Sequence, residues 1–245
     1  MGNSYGAGKI PNLFSNCVLW WDGENETVDG FPIIPSEVTP TPAGTWSNPL
    51  DLGTNKIIKT FDGSTNYIML SDNAAWNIQP DDFTLMGWFR FDAINKNQTL
   101  MGQHTEAGGA DNYMFLGWYP TSNIIYFEGK AGGTVNWNYT APLTASATTW
   151  YHIVVIKSGT SCLMCVNGSA ISVTVGQAWR NTTDLSGYWI IGRSTATYLK
   201  GNIKDLLIYK GRALSLPEIK LIMNRTHPIA GTGMIPGPFD YWRLS

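Results

Sequence analysis

Four short phrases, in a fixed order along the chain, constrain the fold more than any other feature. They read FDGSTNYIML (61–70), FTLMGWFRF (83–91), WYHIVVIKSGTSCLMCVNGSAISV (150–173) and IIGRSTATYLKGNIKDLLIYKGRALSLPEI (190–219). Each describes a strand or a hairpin, because short apolar runs are separated by residues that favour tight turns. The phrases therefore predict an all-β protein built from short antiparallel strands.

The individual runs give more detail. In 83–91 the apolar residues alternate, so one face carries phenylalanine and leucine at Phe83, Leu85, Phe89 and Phe91. Asn167-Gly168 is a strong hairpin signal between CLMCV and AISVTV. Three further strands are predicted at 112–119, 123–129 and 134–140.

One short helix is predicted near the end of the last phrase. Ser215 is suited to the N-cap, Pro217 to the first turn, and Glu218 to a capping box with Ser215. Ile219 and Ile222 then repeat at helical spacing, which indicates that the helix packs on the strands.

Composition excludes several classes of protein. The 245 residues suffice for one large all-β domain, 14% of them are charged, and the net charge is -2. No basic block is present, so nucleic acid is not an expected partner. No apolar run reaches the roughly 18 residues of a membrane helix, and the first residues do not resemble a secretory signal. The three cysteines suit assembly in a reducing cytosol.

The chain divides into a central domain and two arms. Residues 1–16 form a Gly/Asn/Ser-rich arm, and residues 225–245 form an arm rich in glycine, proline and aromatic residues. The domain between them, 17–224, contains a Pro/Thr-rich segment at 23–49 that is expected to be an inserted loop.

In their order, the four phrases resemble a laminin-G-like, concanavalin A-like jelly roll over roughly residues 17–224. The segment GNIKDLLIYKGRALSLPEI (201–219) is the most specific part of this resemblance. It implies two stacked antiparallel sheets followed by the short C-terminal helix. It does not imply one function, because this fold hosts lectins, adhesion modules, glycosidases and virion proteins.

The resemblance also implies candidate calcium ligands, because some relatives bind this ion with loop carboxylates. Calcium takes six to eight oxygen ligands from carboxylates and carbonyls. Asp22, Asp62 and Asp205 are the leading candidates for a structural calcium site. The alternative is a solvated acidic loop, and no cofactor is required.

Catalysis is not expected. Glycosidases need two carboxylates across a cleft, whereas Glu128 and Asp205 stand alone in the predicted strands. The E-x-D-x-x-E pattern of the related glucanases is absent, and so is a G-x-S-x-G nucleophile motif. The histidines His104, His152 and His227 have no visible catalytic partners.

Two non-enzymatic functions remain. One is glycan binding, in which aromatic rings stack on sugar faces while amides bind hydroxyls. The residues that suit it are Asn112, Tyr113, Trp118, Asn136, Trp137, Asn138 and Tyr139. The alternative interpretation of these rings is that they fill the sandwich core.

The other function is structural, and the sequence favours it. The chain would be an auxiliary virion component, such as a phage head-decoration or tail-fibre protein, assembled in the host cytoplasm. Its arms would contact other virion proteins or further copies of the chain, with Phe239, Tyr241 and Trp242 as contact residues. The runner-up is a carbohydrate-binding lectin module, for which an extracellular location is the alternative. The two functions are compatible, because a virion jelly roll can also contact a host glycan.

Overall fold

A computed structural model describes residues 16–21, 45–46, 59–70, 72, 74, 77–104, 112–182, 185, 187–194 and 197–226. These residues form fifteen strands and one helix. In chain order they are β1 (Cys17–Trp21), β2 (Thr45–Trp46), β3 (Lys59–Asp62), β4 (Ile68–Leu70), β5 (Phe83–Phe91), β6 (Gln98–His104), β7 (Tyr113–Tyr119), β8 (Ile124–Ala131), β9 (Thr134–Pro142), β10 (Trp150–Ser158), β11 (Ser161–Val166), β12 (Ser169–Ile171), β13 (Thr174–Gln177), β14 (Tyr188–Ile191), β15 (Lys200–Lys210) and α1 (Leu216–Thr226).

The strands form two antiparallel sheets. Sheet I has the order β1-β15-β5-β10-β11-β12, with β3 also pairing with β15. Sheet II has the order β13-β9-β8-β7-β6-β14-β4-β2. This arrangement confirms the all-β jelly-roll sandwich that the sequence predicts. No helix in the described part of the chain has the length and apolar character needed to cross a membrane.

The core lies between the two sheets and follows the predicted alternation. Phe83, Leu85, Phe89 and Phe91 of β5 all belong to the core cluster between the sheets. Met86, on the opposite face of the same strand, packs instead in a second cluster with residues of α1. One strand therefore contributes to two apolar layers, because successive side chains point to opposite faces.

Helix α1 covers the outer face of sheet I. Ile219 and Ile222 are fully buried and pack with Val154, Leu207 and other residues of this face. The predicted capping residues also interact, since the backbone N–H of Ser215 donates to Glu218 Oε2 at 2.8 Å. The apolar face of sheet I is thus already covered by the chain itself.

The predicted hairpin at Asn167-Gly168 forms within sheet I and is followed by a crossover to sheet II, whereas the predicted turn at Asp62-Gly63 joins strands of different sheets. Asn167 and Gly168 have positive φ angles of 50° and 73°, and β11 pairs with β12 as predicted. The segment AISVTV then splits, because β12 belongs to sheet I and β13 pairs with β9 in sheet II. The strands on either side of Asp62-Gly63 are divided in the same way, since β3 pairs with β15 and β4 pairs with β14.

Candidate functional site

The outer face of sheet II differs in character from the helix-covered face of sheet I. In β7, Met114, Leu116 and Trp118 belong to the core, so alternation places Tyr113 and Phe115 on the outer face. Both outer rings are half-buried, which leaves part of each accessible. This face therefore presents aromatic surface where sheet I presents a packed helix.

A carboxylate lies at the centre of this face. Phe115 in β7, Glu128 in β8 and Asn138 in β9 are aligned by the strand register. The Tyr113 hydroxyl donates to Glu128 Oε1 at 2.5 Å, and Asn138 Nδ2 donates to Glu128 Oε2. Burial, together with the hydrogen bond and negative charge of Glu128, raises the pKa of the Tyr113 hydroxyl well above its usual value. Glu128 is therefore held in one orientation by its two neighbouring strands.

An aromatic ledge, formed by Tyr113 and Phe115, lies beside this carboxylate. The two rings stack with centroids 4.9 Å apart and planes 22° apart. The ring of Phe115 also approaches that of His104, with centroids 5.1 Å apart. Gly102 accommodates the ledge, because a Cβ atom there would lie 2.5 Å from the Phe115 ring. The ledge thus has a fixed position on the sheet.

A second polar and aromatic group lies at the other end of β7. Tyr119 and Tyr126 stack with centroids 4.1 Å apart, and the ring of Tyr126 lies over Gly117. A row of hydroxyls leads away from it: Tyr126 hydrogen-bonds Thr99, and Thr99 Oγ1 lies 2.5 Å from Thr197 Oγ1. Burial, and then Tyr119, raise the pKa of Tyr126 well above its usual value.

Two of the sequence-predicted glycan residues meet at Glu128, namely Tyr113 and Asn138. Two others support the backbone near this face. Asn112 accepts a hydrogen bond from the backbone N–H of Gly132 at 3.0 Å. Asn136 accepts one from the backbone N–H of Ala131 at 3.0 Å, where the β8–β9 register shifts.

Three predicted glycan residues require correction, because their rings lie in the core. Trp118 and Trp137 are 1% and 0% exposed, and Tyr139 is 2% exposed. Trp118 Nε1 donates to the Leu143 carbonyl, and Trp137 stacks on Trp179 with centroids 4.1 Å apart. The prediction grouped neighbours within one strand, whereas adjacent strand residues point to opposite faces.

Sequence reasoning missed Phe115, Glu128 and Tyr126 as parts of this face. A signal for them existed, because Phe115 is two residues from Tyr113 and so shares its face. Glu128 and Tyr126 share a face of β8 for the same reason. What the sequence could not supply was the register that places Glu128 opposite Phe115.

Asp62 is committed to a turn. Its Oδ1 accepts hydrogen bonds from the backbone N–H groups of Ser64, Thr65 and Asn66, at 2.8, 2.8 and 3.1 Å. Partial burial alone would raise the pKa of this carboxyl, but the hydrogen bonds from these three residues outweigh it and hold the pKa well below its usual range.

The described residues do not fit the calcium site that the resemblance implies. Asp62 is paired with Lys200 at one end of β15, while Asp205 lies five positions further along that strand. Asp205 is buried, and its Oδ2 lies 4.0 Å from Lys204 Nζ. No group of three or more His, Cys, Asp or Glu in the described ranges could hold a metal ion. The remaining candidate, Asp22, lies outside those ranges, as do Phe239, Tyr241 and Trp242 of the C-terminal arm.

His152 is enclosed on the sheet I side of the molecule. It is 0% exposed, and its ring lies 5.1 Å from that of Trp88. Among the residues that the structure describes, neither ring nitrogen of His152 has a hydrogen-bond partner. Burial lowers the pKa of His152 to about 3. This histidine is therefore a neutral packing residue at neutral pH.

Comparison with known families agrees with the two-sheet sandwich. Residues 62–220, well over half of the chain, match the family described as the concanavalin A-like lectin/glucanases superfamily. The chain belongs to this superfamily, which confirms the resemblance that the four phrases carry. No curated protein matches the sequence of the chain.

Solved structures share this fold at low sequence identity. The receptor-binding domain of a botulinum neurotoxin C/D mosaic serotype matches with a TM-score of 0.60 at 10% identity, over 85% of this chain and 51% of that one. Domain 4 of AbnA, a GH43 extracellular arabinanase from Geobacillus stearothermophilus, was solved in complex with arabinotriose. It matches with a TM-score of 0.56 at 15% identity, over 84% of this chain and 97% of that one. The CBM40 domain of a Ruminococcus gnavus IT-sialidase, bound to alpha2,3 sialyllactose, matches with a TM-score of 0.52 at 15% identity. The match covers 67% of this chain and 95% of that one.

Proposed function

We propose that this chain is a non-catalytic carbohydrate-binding module that holds its ligand on the outer face of sheet II. The observation that carries the proposal is the aromatic ledge beside an oriented carboxylate and amide. Aromatic rings stack on the C–H face of a sugar, while fixed carboxylate and amide groups bind its hydroxyls. Glu128 lies one strand spacing from Phe115 and Asn138 lies one strand spacing beyond Glu128, so the two residues supply those groups beside the ledge.

The distribution of acidic residues supports a binding role over a hydrolytic one. In the described strands, carboxylates occur only at Asp62, Glu128 and Asp205. Asp62 and Asp205 belong to sheet I, whereas Glu128 lies on sheet II. A glycosidase of the common type needs two carboxylates across one cleft, roughly 5–10 Å apart. Glu128 has no such partner among the strand residues.

The fold is compatible with this function. Two of the solved structures that share it were determined with an oligosaccharide, arabinotriose in one and sialyllactose in the other. The fold alone leaves the sugar open, so the proposal depends on the ledge and on Glu128 rather than on the likeness.

Removing the ledge is expected to weaken glycan binding at least tenfold. The best ligand would be taken from a glycan array on the purified protein, with and without EDTA, and its affinity measured for the Tyr113→Ala and Phe115→Ala variants. A tenfold loss corresponds to about 1.4 kcal/mol, which is in the range of a central aromatic contact. Circular dichroism would verify that each variant is folded.

Trp150→Ala is the matched control, because Trp150 is a half-buried aromatic residue on sheet I. Its affinity should stay within twofold of the parent protein. Equal losses in all three variants would contradict the proposed location. If the protein binds none of the glycans on the array, carbohydrate binding itself is contradicted.

A role as a virion component is a second proposal, and it rests on the arms. The C-terminal arm combines glycine and proline with Phe239, Tyr241 and Trp242, a composition suited to ordering on a partner surface. Deleting 1–16 and 226–245 is expected to leave glycan affinity unchanged and to abolish incorporation into particles. Co-sedimentation with particles measures this. Normal incorporation of the truncated protein, or loss of folding, would contradict the proposal.

A further inference from the structure

A guanidinium group is clamped between two tyrosine rings just beyond the end of β14. The Cζ atom of Arg193 lies 4.3 Å from the ring centroid of Tyr67 and 5.6 Å from that of Tyr198. The two rings are themselves 6.5 Å apart in an edge-to-face arrangement. Arg193 Nε donates to the Ser194 carbonyl at 3.2 Å. These contacts fix the orientation of the group.

The terminal nitrogens of this guanidinium are left for a ligand. Within the described ranges, Arg193 forms no ion pair, and its only side-chain hydrogen bond is the one from Nε. The residue is half-buried, so its outer edge meets solvent. A rigid guanidinium with a free pair of N–H groups matches the two oxygens of a carboxylate. The net charge of the chain is -2, so any attraction for an anion must be local.

Hydroxyl groups connect this cation to the outer face of sheet II. Ser194 Oγ lies 2.8 Å from Thr197 Oγ1, which is 2.5 Å from Thr99 Oγ1. Thr99 is paired with Gly117, beneath the ring of Tyr126. The row of hydroxyls therefore runs from Arg193 towards the two stacked tyrosines of the face.

The register gives the distance between Arg193 and the aromatic ledge. Ile190 of β14 is paired with Gly102, and Gly102 is paired with Phe115. Arg193 lies three residues beyond Ile190 and two strand spacings from Phe115, which at ideal strand dimensions corresponds to a backbone separation of about 14 Å. A single sugar does not cover that distance, whereas an oligosaccharide does.

We propose that Arg193 binds the carboxylate of a uronic acid unit, so that the ligand of this face is an acidic oligosaccharide. This inference rests on the proposed function and specifies its ligand class. Glu128 restricts the ligand further, because its negative charge disfavours a second carboxylate at the ledge. A chain that alternates uronic acid with neutral units therefore fits better than a continuous polyuronate.

The test compares oligosaccharides that differ only in the carboxyl group. Calorimetry would measure the binding of two acidic oligosaccharides, each beside its carboxyl-reduced form. One is unsulfated chondroitin, which alternates uronic acid with neutral units, and the other is oligogalacturonate. We expect the parent protein to bind the chondroitin form at least tenfold more tightly than its reduced form. The difference should shrink as sodium chloride is raised, because salt screens the charge on this exposed edge.

The variant Arg193→Gln should lose this preference and still bind the reduced form as the parent does. Arg193→Lys should keep only part of the preference, because an ammonium group lacks the paired donors. Lys220→Gln on α1, which removes one positive charge on the sheet I side, should change neither affinity.

Other outcomes separate the two proposals. Equal weakening of both forms by Arg193→Gln would show that the arginine only holds its loop in place, and would overturn the inference. Equal binding of acidic and reduced forms by the parent would overturn the inference and leave carbohydrate binding intact. If the protein binds neither form and also binds no glycan on the array, the proposed function itself is overturned.

Discussion

Replacing Gly129 with alanine is expected to lower the free energy of unfolding by about 3 kcal/mol, the upper end of overpacking costs. Gly129 lies in β8 directly opposite Trp137 of β9. A Cβ atom at this position would lie 1.8 Å from the Trp137 ring, so the indole must move. That indole is fully buried and stacked on Trp179, which leaves it no free volume. Chemical denaturation of the two proteins measures the difference.

Gly176→Ala is the matched control for this substitution. Gly176 is an exposed residue of edge strand β13, and only the Asn138 side chain would lie within 3 Å of a methyl group added there. Its effect should stay below about 1 kcal/mol, as is usual for surface positions. Equal stabilities for the Gly129→Ala variant and the parent would contradict the described packing of Trp137. The packing matters for the site, because Trp137 lies next to Asn138 in β9 and helps to fix the register that brings Asn138 to Glu128.

Acid is expected to destabilise the protein through His152. The folded-state pKa of this histidine is about 3, against 6.5 for the free side chain. Between these values the unfolded chain binds a proton that the folded chain does not, so stability falls as pH decreases below about 6.5. The slope is about 1.4 kcal/mol per pH unit, and the loss at pH 4.5 is therefore about 3 kcal/mol.

The contribution of His152 can be separated from that of the carboxyl groups. His152→Leu keeps an apolar side chain of similar size against Trp88 and removes the titrating ring. The free energy of unfolding would be measured for both proteins at pH 7 and pH 4.5. We expect the parent to lose about 3 kcal/mol more than the variant across this interval. The same loss in both proteins would show that His152 gains its proton without unfolding.

The sequence predicted the fold well because its signals are local. Alternation in 83–91 identifies the face of β5 that packs between the two sheets, and Ser215 with Glu218 identifies the start of α1. Superfamily membership then fixed the stacking of two sheets. Neither conclusion required knowledge of which strands are neighbours.

The site was predicted only in part because it depends on neighbours distant in sequence. The sequence points to Tyr113 and Asn138, yet Glu128, which joins them, stands in the sequence as an isolated acid. Trp137 was included wrongly, since its aromatic character suited a sugar while its position in β9 places it in the core. Arg193 had no motif, because its clamp unites Tyr67 with a turn more than a hundred residues later.

The most direct test of glycan binding on sheet II is an amide chemical-shift map recorded while the best oligosaccharide from the glycan array is titrated into the isotope-labelled protein. We expect the largest shifts at Tyr113, Phe115, Glu128 and Asn138, with little change in helix α1. Shifts confined to α1 and the outer face of sheet I would contradict the assignment of sheet II as the binding face.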